Sequence, residues 1–202
     1  MTLPRLAPLA AVSLIALGTL PALADHHEEG GTPLAAAEFR TQASGEAGTA
    51  NLSEGPEGVV IRVNVEGIEP GWHAIHFHGV GDCSDAAYKN SGSHVQHVQV
   101  PEGSITAELL GPEEKKPHGL LNPEGPDDGD LPNIYAAEDG TVNAELFSER
   151  VTLVEDEADE RAFLLDEDGS ALVIHEGPDD HMSQPIGGAG ARVACAVIET
   201  VE

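Results

Sequence analysis

Two histidines at alternate positions in an apolar segment constrain this chain more than any other feature. His76 and His78 lie in the run from Trp72 to Val80, which has the alternating pattern of a β-strand. Residues two apart in a strand project to the same face, about 7 Å from each other. Two imidazoles at that spacing can bind one metal ion, although the pair alone does not choose among zinc, copper, iron and nickel. A solvated, histidine-rich strand is the alternative that the pair leaves open.

Short strands separated by turn residues account for most of the remaining chain. The clearest is the β-branched run Val59–Val65, which alternates with period two. Further strands are predicted at residues 36–41, 49–53, 131–137, 142–147, 171–175 and 192–199. With almost no helix signal, about eight antiparallel strands predict a single all-β domain, a Greek-key β-sandwich or flattened barrel.

Glycine and proline define the connections between these strands. The sequence Glu138-Asp139-Gly140 predicts a hairpin between residues 131–137 and 142–147. Residues 111–129 and 176–191 are rich in glycine and proline and predict two long loops. Loops of this length are uncommon in a compact domain unless they carry function.

The first 24 residues have the pattern of a secretory signal peptide. Arg5 precedes an apolar run at residues 9–20, and Ala22-Leu23-Ala24 resembles a cleavage site. The apolar run is short for a spanning helix, so a membrane anchor is the weaker alternative. We therefore expect residues 1–24 to be removed, residues 25–33 to form a mobile tail rich in histidine and acid, and residues 34–202 to form the β domain. Such a protein would be exported, to the periplasm or the medium, with no membrane association after the signal is removed.

Charge and cysteine content narrow the partners and the compartment. The formal net charge is -27, and loss of Arg5 with the leader makes it -28. Such acidity argues against nucleic acid and anionic membranes as partners. Cys83 and Cys195 are the two cysteines of the chain, and an even pair in an exported protein predicts a disulfide, with two free buried thiols as the alternative.

Histidine and acidic residues recur where the predicted strands give way to loops, and the motifs around them match a known family. The chain resembles the periplasmic bacterial copper–zinc superoxide dismutases over residues 35–199. The matching segments occur in family order at residues 71–78, 81–84, 91–94, 118–126, 129–133, 173–180 and 190–198. Each segment is a weak signal, but seven in order are highly specific.

The resemblance implies a site with two metals and an activity. Copper would be held by His76, His78, His94 and His175, and zinc by His94, His118, Asp127 and Asp130, so that His94 bridges the two ions. The implied reaction is dismutation of superoxide to oxygen and hydrogen peroxide by a redox-cycling copper, with a structural zinc. A periplasmic protein that binds or buffers copper without turnover is the alternative, and a homodimer is a further hypothesis for assembly.

The resemblance also assigns roles to residues around the metals. His94 would deliver a proton to the forming peroxide, and Arg192 would attract and orient the superoxide anion. His73 would brace the copper strand, while Asp179 would link His76 to His118. The disulfide Cys83–Cys195 would tie the first loop to the last strand near Arg192. Because the acidic surface repels superoxide, steering would have to be local, from Arg192 with Lys89, Lys115 and Lys116.

Three departures from the family pattern leave questions open. Asp127 stands where the family has a histidine, and since aspartate is shorter, zinc occupancy is open although carboxylate is a legitimate zinc ligand. The segment between His94 and His118 is longer than in relatives, which makes His97 a rival for the bridging role. His181, in the late loop, is either a surface residue or part of the channel mouth.

The predicted mature terminus suggests a further copper site outside the family motifs. Cleavage after Ala24 would leave the sequence Asp25-His26-His27, with a free α-amine, two backbone amides and a histidine at the third position. Four nitrogens in a square plane suit Cu(II). The alternative is a polar terminus that happens to contain two histidines.

Overall fold

The computed structural model describes residues 34–42, 45–96, 116–156 and 159–201. Within these ranges it contains eleven strands and one 3-10 turn at Lys89–Ser91. The strands are β1 (Ala35–Thr41), β2 (Gly45–Gly55), β3 (Gly58–Val65), β4 (Gly71–His73), β5 (Ile75–His78), β6 (Ile134–Ala136), β7 (Val142–Ser148), β8 (Val151–Thr152), β9 (Ala162–Phe163), β10 (Ala171–His175) and β11 (Arg192–Thr200). Among the described residues no helix is long and apolar enough to cross a membrane.

Seven strands form one antiparallel sheet in the order β5-β10-β11-β1-β2-β3-β7, which curls into half a barrel. The alternating sequence pattern explains why these segments form a sheet. The apolar residues of each strand lie on one face, which packs into the core. In β3, Val59, Ile61, Val63 and Val65 are buried. The main core also contains Phe39, Leu52, Phe77, Leu131, Leu164 and Leu172. The predicted all-β class is therefore confirmed.

Two details of the predicted strands are wrong. The turn at Glu138-Asp139-Gly140 exists, with the Ala137 N–H donating to the Thr141 carbonyl, but the flanking strands do not form a hairpin. Instead β6 pairs with β4 in a separate two-stranded sheet, and β7 pairs with β3 in the large sheet. The sequence analysis also missed the short parallel pair β8–β9. Strand pairing depends on which apolar faces meet in the core, and turn residues report only the local change of direction.

Two neighbouring strands at one edge of the large sheet position the histidines. In β5, Ile75 and Phe77 enter the core, so His76 and His78 project to the opposite face, where they are also fully buried. Strand β10 pairs beside β5, with Val173 opposite His76. Backbone hydrogen bonds to β10 therefore fix one side of β5, the strand that carries the predicted metal pair.

Loop segments pair with the free side of β5 and cover its histidines. The Phe77 N–H donates to the Gly129 carbonyl at 2.9 Å, and the Val95 N–H donates to the Phe77 carbonyl at 3.0 Å. Isolated bridges join His76 to Asp130 and His78 to His94. A side chain at Gly129 would put its Cβ 2.4 Å from the Phe77 oxygen, so glycine is required for this approach.

Candidate metal centre

His76 and His78 each use one ring nitrogen for the protein and leave the other without a partner. His76 Nε2 lies 3.1 Å from Asp179 Oδ2, and His78 Nδ1 lies 3.0 Å from the Gly92 carbonyl. A carbonyl and a carboxylate only accept, so these nitrogens carry the protons. The buried His76 Nδ1 and His78 Nε2 have no hydrogen-bond partner and are free to bind a metal as neutral imidazole nitrogens.

His175 and His94 complete the group that the sequence predicts to hold copper, called the copper side below. His175 Nδ1 lies 3.3 Å from the Gly190 carbonyl, and Nε2 of both His175 and His94 is buried without a partner. The ring of His175 lies 5.1 Å from that of His76 and 5.8 Å from that of His78, centroid to centroid. The tighter group, whose ligand atoms all lie within 4.8 Å of one another, comprises His76, His78 and His94. His175 faces this group from the next strand.

The other nitrogen of His94 faces two carboxylates and a second histidine. His94 Nδ1 is 2.9 Å from Asp127 Oδ2 and 3.6 Å from Asp130 Oδ1. His118 Nδ1 is 2.5 Å from the same Asp130 oxygen, yet neither of these two atoms has a partner with hydrogen-bond geometry. Ligand atoms of all four residues lie within 4.8 Å of one another. Two nitrogens and two carboxylate oxygens in a buried cluster fit zinc.

Asp127 reaches this cluster despite its short side chain, because the loop that carries it turns back on itself. Asp127 Oδ1 accepts the Gly129 N–H at 3.0 Å, and the Asp127 N–H donates to Asp130 Oδ2, also at 3.0 Å. The second N–H on Asp130 Oδ2 comes from Gly119 at 2.7 Å. These bonds aim one oxygen of each carboxylate at His94, so Asp127 brings an oxygen to the cluster although its side chain is shorter than that of histidine.

The pKa values separate the two sides of the centre. Burial lowers the pKa of His76 to about 4, that of His78 to about 2 and that of His175 to about 3. These imidazoles are therefore neutral at pH 7. Burial alone would also lower the pKa of His118, but the adjacent carboxylates of Asp130 and Asp179 favour its charged form and raise the pKa to about 10.

In the cluster around Asp127 and Asp130, the pKa of each remaining group also depends on burial and on its charged neighbours. Burial acts to lower the pKa of His94, but hydrogen bonds with Asp127 and Asp130 reverse the shift and raise it. Burial raises the pKa of Asp127. Burial acts to raise the pKa of Asp130, yet its contacts with His118 and His94 hold that pKa below the ordinary range.

One buried carboxylate joins the two sides. Asp179 contacts His76 with one oxygen and His118 Nε2 with the other, at 3.1 Å and 3.0 Å. Burial acts against its negative charge, but the hydrogen bonds from both histidines hold the pKa of Asp179 well below its ordinary range. Asp179 therefore fixes which nitrogen of each ring is left for a metal.

Arg192 lies beside the copper side and is anchored by backbone carbonyls. Its guanidinium donates to the carbonyls of Tyr88 and Gly92 and to Ser91 Oγ. The Gly92 carbonyl also accepts from His78, so the positive group and a copper-side ring share one acceptor. Burial lowers the pKa of Arg192, but an arginine stays charged in proteins.

The predicted disulfide between Cys83 and Cys195 is present, with a Cα–Cα distance of 5.8 Å. The disulfide joins two segments. One is the loop whose carbonyls and hydroxyl accept hydrogen bonds from Arg192, and the other is β11, the strand that begins with Arg192. His73 contacts the His175 carbonyl with Nδ1 and the Glu69 carbonyl with Nε2, at 2.8 Å and 2.6 Å. It thus lies against the backbone of a copper-side residue.

The structure also places residues whose roles were left open. The Lys116 amine pairs with Asp128 at 3.2 Å, so part of its charge is neutralised. His181 is neither a plain surface residue nor placed in the metal groups: its ring lies against Asp179. Asn133 was missed as a functional residue, although it exchanges two hydrogen bonds with the Asp179 backbone. His97, Lys115 and the tail with Asp25, His26 and His27 lie outside the described residues.

Together, fold and site define a β protein with two adjoining groups of potential metal ligands that share His94. Comparisons with known proteins agree: the family model for copper/zinc superoxide dismutase (SODC) matches residues 46–198. The chain is 47% identical to the superoxide dismutase [Cu-Zn] of Caulobacter vibrioides over 76% of this chain and 79% of that protein. It is 41% identical to superoxide dismutase [Cu-Zn] 2 of Aquifex aeolicus over 75% and 78%.

A solved structure gives the same result for the fold. The chain matches the crystal structure of a SOD-like protein from Bacillus subtilis with a TM-score of 0.67 at 26% identity, covering 80% of this chain and 96% of that one. The chain belongs to the copper/zinc superoxide dismutase family. It is an enzyme that dismutates superoxide, with copper and zinc as its cofactors.

Proposed function

We propose that copper is bound by His76 Nδ1 and by Nε2 of His78, His94 and His175, and that zinc is bound by the four residues His94, His118, Asp127 and Asp130. The observation that carries this assignment is the set of buried ring nitrogens without hydrogen-bond partners. A buried polar atom left unpaired destabilises the fold, so such atoms mark a missing partner. In this centre, the partner that suits imidazole nitrogens and carboxylate oxygens is a metal cation.

The reaction converts two superoxide anions and two protons to one oxygen and one hydrogen peroxide. Bound copper supplies the one-electron oxidation and reduction, whereas zinc has no redox chemistry and organises its ligands. The chain must supply a docking charge for the anion and a place for a proton.

Two residues meet these needs. Arg192 holds a fixed positive charge beside His78, where an anion approaching the copper side is attracted and oriented. His94 Nε2 has no protein partner, so whenever it is not bound to copper it can hold a proton for the forming peroxide, while its Nδ1 stays directed at Asp127 and Asp130. His73 and Asp179 keep the copper-side rings oriented.

A copper-buffering protein without turnover would need the same histidines but not Arg192 in this position. The anchored guanidinium, which shares an acceptor with His78, favours catalysis over storage.

Metal analysis of the purified protein, together with a superoxide-consumption assay, tests the assignment. We expect one copper and one zinc per chain in the fully loaded protein and rapid consumption of superoxide. Copper binding without superoxide consumption would instead indicate a buffer, and retention of copper by a His76→Ala, His78→Ala double variant would contradict the ligand assignment.

We further propose that residues 1–24 direct export and are removed. The Cys83–Cys195 disulfide supports this, because disulfides persist in oxidising compartments. Fractionation of the producing cells and N-terminal sequencing test the proposal: we expect an exported protein that begins at Asp25. A cytosolic protein with an intact N-terminus would contradict it.

The tail would then carry a surface Cu(II) site at Asp25, His26 and His27. Copper titration of the mature protein, and of a form that lacks residues 25–29, tests this second site. Equal copper stoichiometry in the two forms would contradict it.

Exposed aromatic residues support the hypothesis of a homodimer. Trp72 and Tyr135 pack edge to face at 5.2 Å on the two-stranded sheet β4–β6, and their relative exposures are 57% and 53%. Paired exposed aromatics are typical of association surfaces. Sedimentation of the wild type and a Trp72→Glu, Tyr135→Glu variant tests the proposal, with a shift from dimer to monomer expected.

A further inference from the structure

His181 contributes half of the contacts around the carboxylate that links the two metal sites. The His181 N–H donates to Asp179 Oδ1 at 2.6 Å, and His181 Nδ1 lies 3.1 Å from Asp179 Oδ2. The same two oxygens face His118 Nε2 and His76 Nε2, respectively. Three nitrogens therefore have hydrogen bonds with this carboxylate, and the His181 ring lies beside Oδ2 at close contact without hydrogen-bond geometry. The hydrogen bonds and the ring together restrict the rotation of Asp179.

Asn133 determines which nitrogen of His181 carries the proton. The Asn133 side-chain oxygen accepts the Asp179 N–H at 2.9 Å, which orients the amide. Its Nδ2 therefore donates, to the Asp179 carbonyl at 2.9 Å and toward His181 Nε2 at 3.3 Å. With Nε2 as an acceptor, a neutral His181 carries its proton on Nδ1, the nitrogen that faces the carboxylate.

The backbone of His181 is held in a conformation that few residues adopt. Its φ is +60°, in the left-handed region that residues other than glycine seldom adopt, although Asn, Asp and His do so more often than the rest. The His181 carbonyl accepts the Leu121 N–H at 3.1 Å, and a Cβ at Gly119 would lie 2.3 Å from that carbonyl oxygen. His181 thus joins the late loop to the loop that carries His118, and such conformations persist where the surroundings determine them.

Asp179 is also enclosed on its remaining side. A Cβ at Gly187 would lie 1.6 Å from Asp179 Oδ1, so the carboxylate packs directly against the backbone of its own loop. The Gly187 backbone therefore limits movement of the carboxylate on that side.

We propose that His181 is a positioning residue of the binuclear centre, which locks the Asp179 carboxylate so that His76 and His118 both present Nδ1 to their metals. The inference rests on the ligand assignment proposed above. His181 touches no metal in this arrangement and acts through Asp179 alone.

The zinc side should depend on this lock more than the copper side. His76 lies on β5, whose hydrogen bonds to β10 already restrict its position. His118 lies in a loop, so Asp179 is a larger part of what orients its ring. Loss of an outer partner of a metal ligand typically weakens metal binding roughly 10- to 100-fold, and for His181 we expect about tenfold weaker zinc retention with little change for copper.

Substitutions at His181 can separate the ring from the backbone. His181→Asn and His181→Gly both tolerate the positive φ and keep the N–H on Asp179 Oδ1, but both lack the ring. Met182→Ala is the matched control, because Met182 is the exposed neighbour on the same loop. Each variant is purified with both metals, and zinc retention is measured by competition with a graded chelator.

An Asp179→Asn background tests whether His181 acts through Asp179. We expect the tenfold effect of His181→Asn to shrink to less than twofold in that background. The visible absorption spectrum of bound Cu(II) is the second readout, which does not require zinc retention. His181→Asn should shift it from the wild-type spectrum, whereas the Asp179→Asn single and double variants should have the same spectrum.

Specific results would overturn the inference. Wild-type zinc retention and spectrum in both His181 variants would show that the ring positions nothing. An undiminished effect in the Asp179→Asn background would show that His181 acts by another route. A wild-type protein that failed to retain zinc at all would contradict the ligand assignment itself, which distinguishes the two failures.

Discussion

The copper side and the zinc side of this centre share His94 but are built from different parts of the chain. His76, His78 and His175 lie on adjacent strands, where the hydrogen-bond register fixes their spacing. His118, Asp127 and Asp130 lie between residues 116 and 133, a stretch without a regular strand until β6. The copper side is therefore positioned by the sheet, and the zinc side by hydrogen bonds within a loop.

The two sides also differ in charge. The three strand histidines are neutral because burial disfavours their charged form. The pKa of His118 is instead raised by neighbouring carboxylates, so protons occupy the zinc side when no metal is bound. The comparison teaches that a group of neutral histidines on strands and a group of charged residues in a loop can share one histidine.

The largest expected effect comes from removing a copper-side ligand on its own strand. His175→Ala should lower the rate of dismutation by more than about 100-fold. Loss of a residue that only contacts a metal ligand already lowers metal affinity or activity roughly 10- to 100-fold, and His175 is itself a proposed ligand. Zinc should be retained. Asp130→Asn is the counterpart on the zinc side and should lose zinc while copper remains. Metal analysis and superoxide consumption check both variants. Equal loss of both metals in either variant would contradict the proposal that separate groups of ligands hold copper and zinc.

Arg192→Ala should leave both metals bound but slow the reaction about tenfold, because the local positive charge that attracts the anion is lost. The dependence of the rate on ionic strength should also weaken. Lys116→Gln is the matched control, since Lys116 is already paired with Asp128 and should change the rate less than twofold. Rates measured over a range of salt concentrations test this, and an Arg192 variant that matched wild type at every concentration would contradict the guiding role.

Asp127→His should increase zinc retention, by several-fold to about tenfold, because it replaces a carboxylate oxygen with an imidazole nitrogen that can reach farther toward the ion. Asp127 is buried, at 3% relative exposure, so the larger ring requires some movement of the loop. Copper retention should change little. Chelator competition provides the measurement, and equal zinc retention by both proteins would show that Asp127 is already an adequate ligand.

Metal binding should release protons on one side of the centre only. At pH 7.5 His118 is protonated in the metal-free protein, since its pKa is about 10, and it must lose that proton to bind zinc. Zinc binding should therefore release about one proton from His118, whereas copper binding at the strand histidines should release nearly none. Calorimetry in buffers of different ionisation enthalpy measures the number, and equal release for the two ions would contradict the contrast.

The same shifts predict how the stability of the metal-free protein depends on pH. The pKa of His118 is raised in the folded state, so its contribution is complete below about 6.5 and is lost as the pH rises through about 10. The pKa values of Asp130 and Asp179 are lowered, so their contribution is complete above about 4 and is lost as the pH falls below that value. The pKa values of His76, His78 and His175 are also lowered, so these buried neutral rings cost stability as the pH falls below about 6.5. Thermal unfolding across pH should therefore show its maximum near about pH 6.5, and zinc should reduce the loss at alkaline pH.

The sequence by itself determined the features that depend on local periodicity. Alternation placed His76 and His78 on one face of a strand, because the side-chain period of a strand is two in any tertiary context. Six of the predicted runs correspond to β1, β2, β3, β7, β10 and β11. The pairing of Cys83 with Cys195 followed from their number, and the family motifs gave the order in which the site residues occur.

Only the tertiary structure decided which loop atoms meet. Whether Asp127 reaches the centre depends on the turn from Asp127 to Asp130, and the position of His181 depends on a positive φ and on Asn133 from a distant segment. The pairing of β6 with β4 rather than β7 depends in the same way on how the strands pack. The physical reason is that periodicity reports the faces of one element, whereas hydrogen bonds between loops depend on the relative positions of elements far apart in the chain.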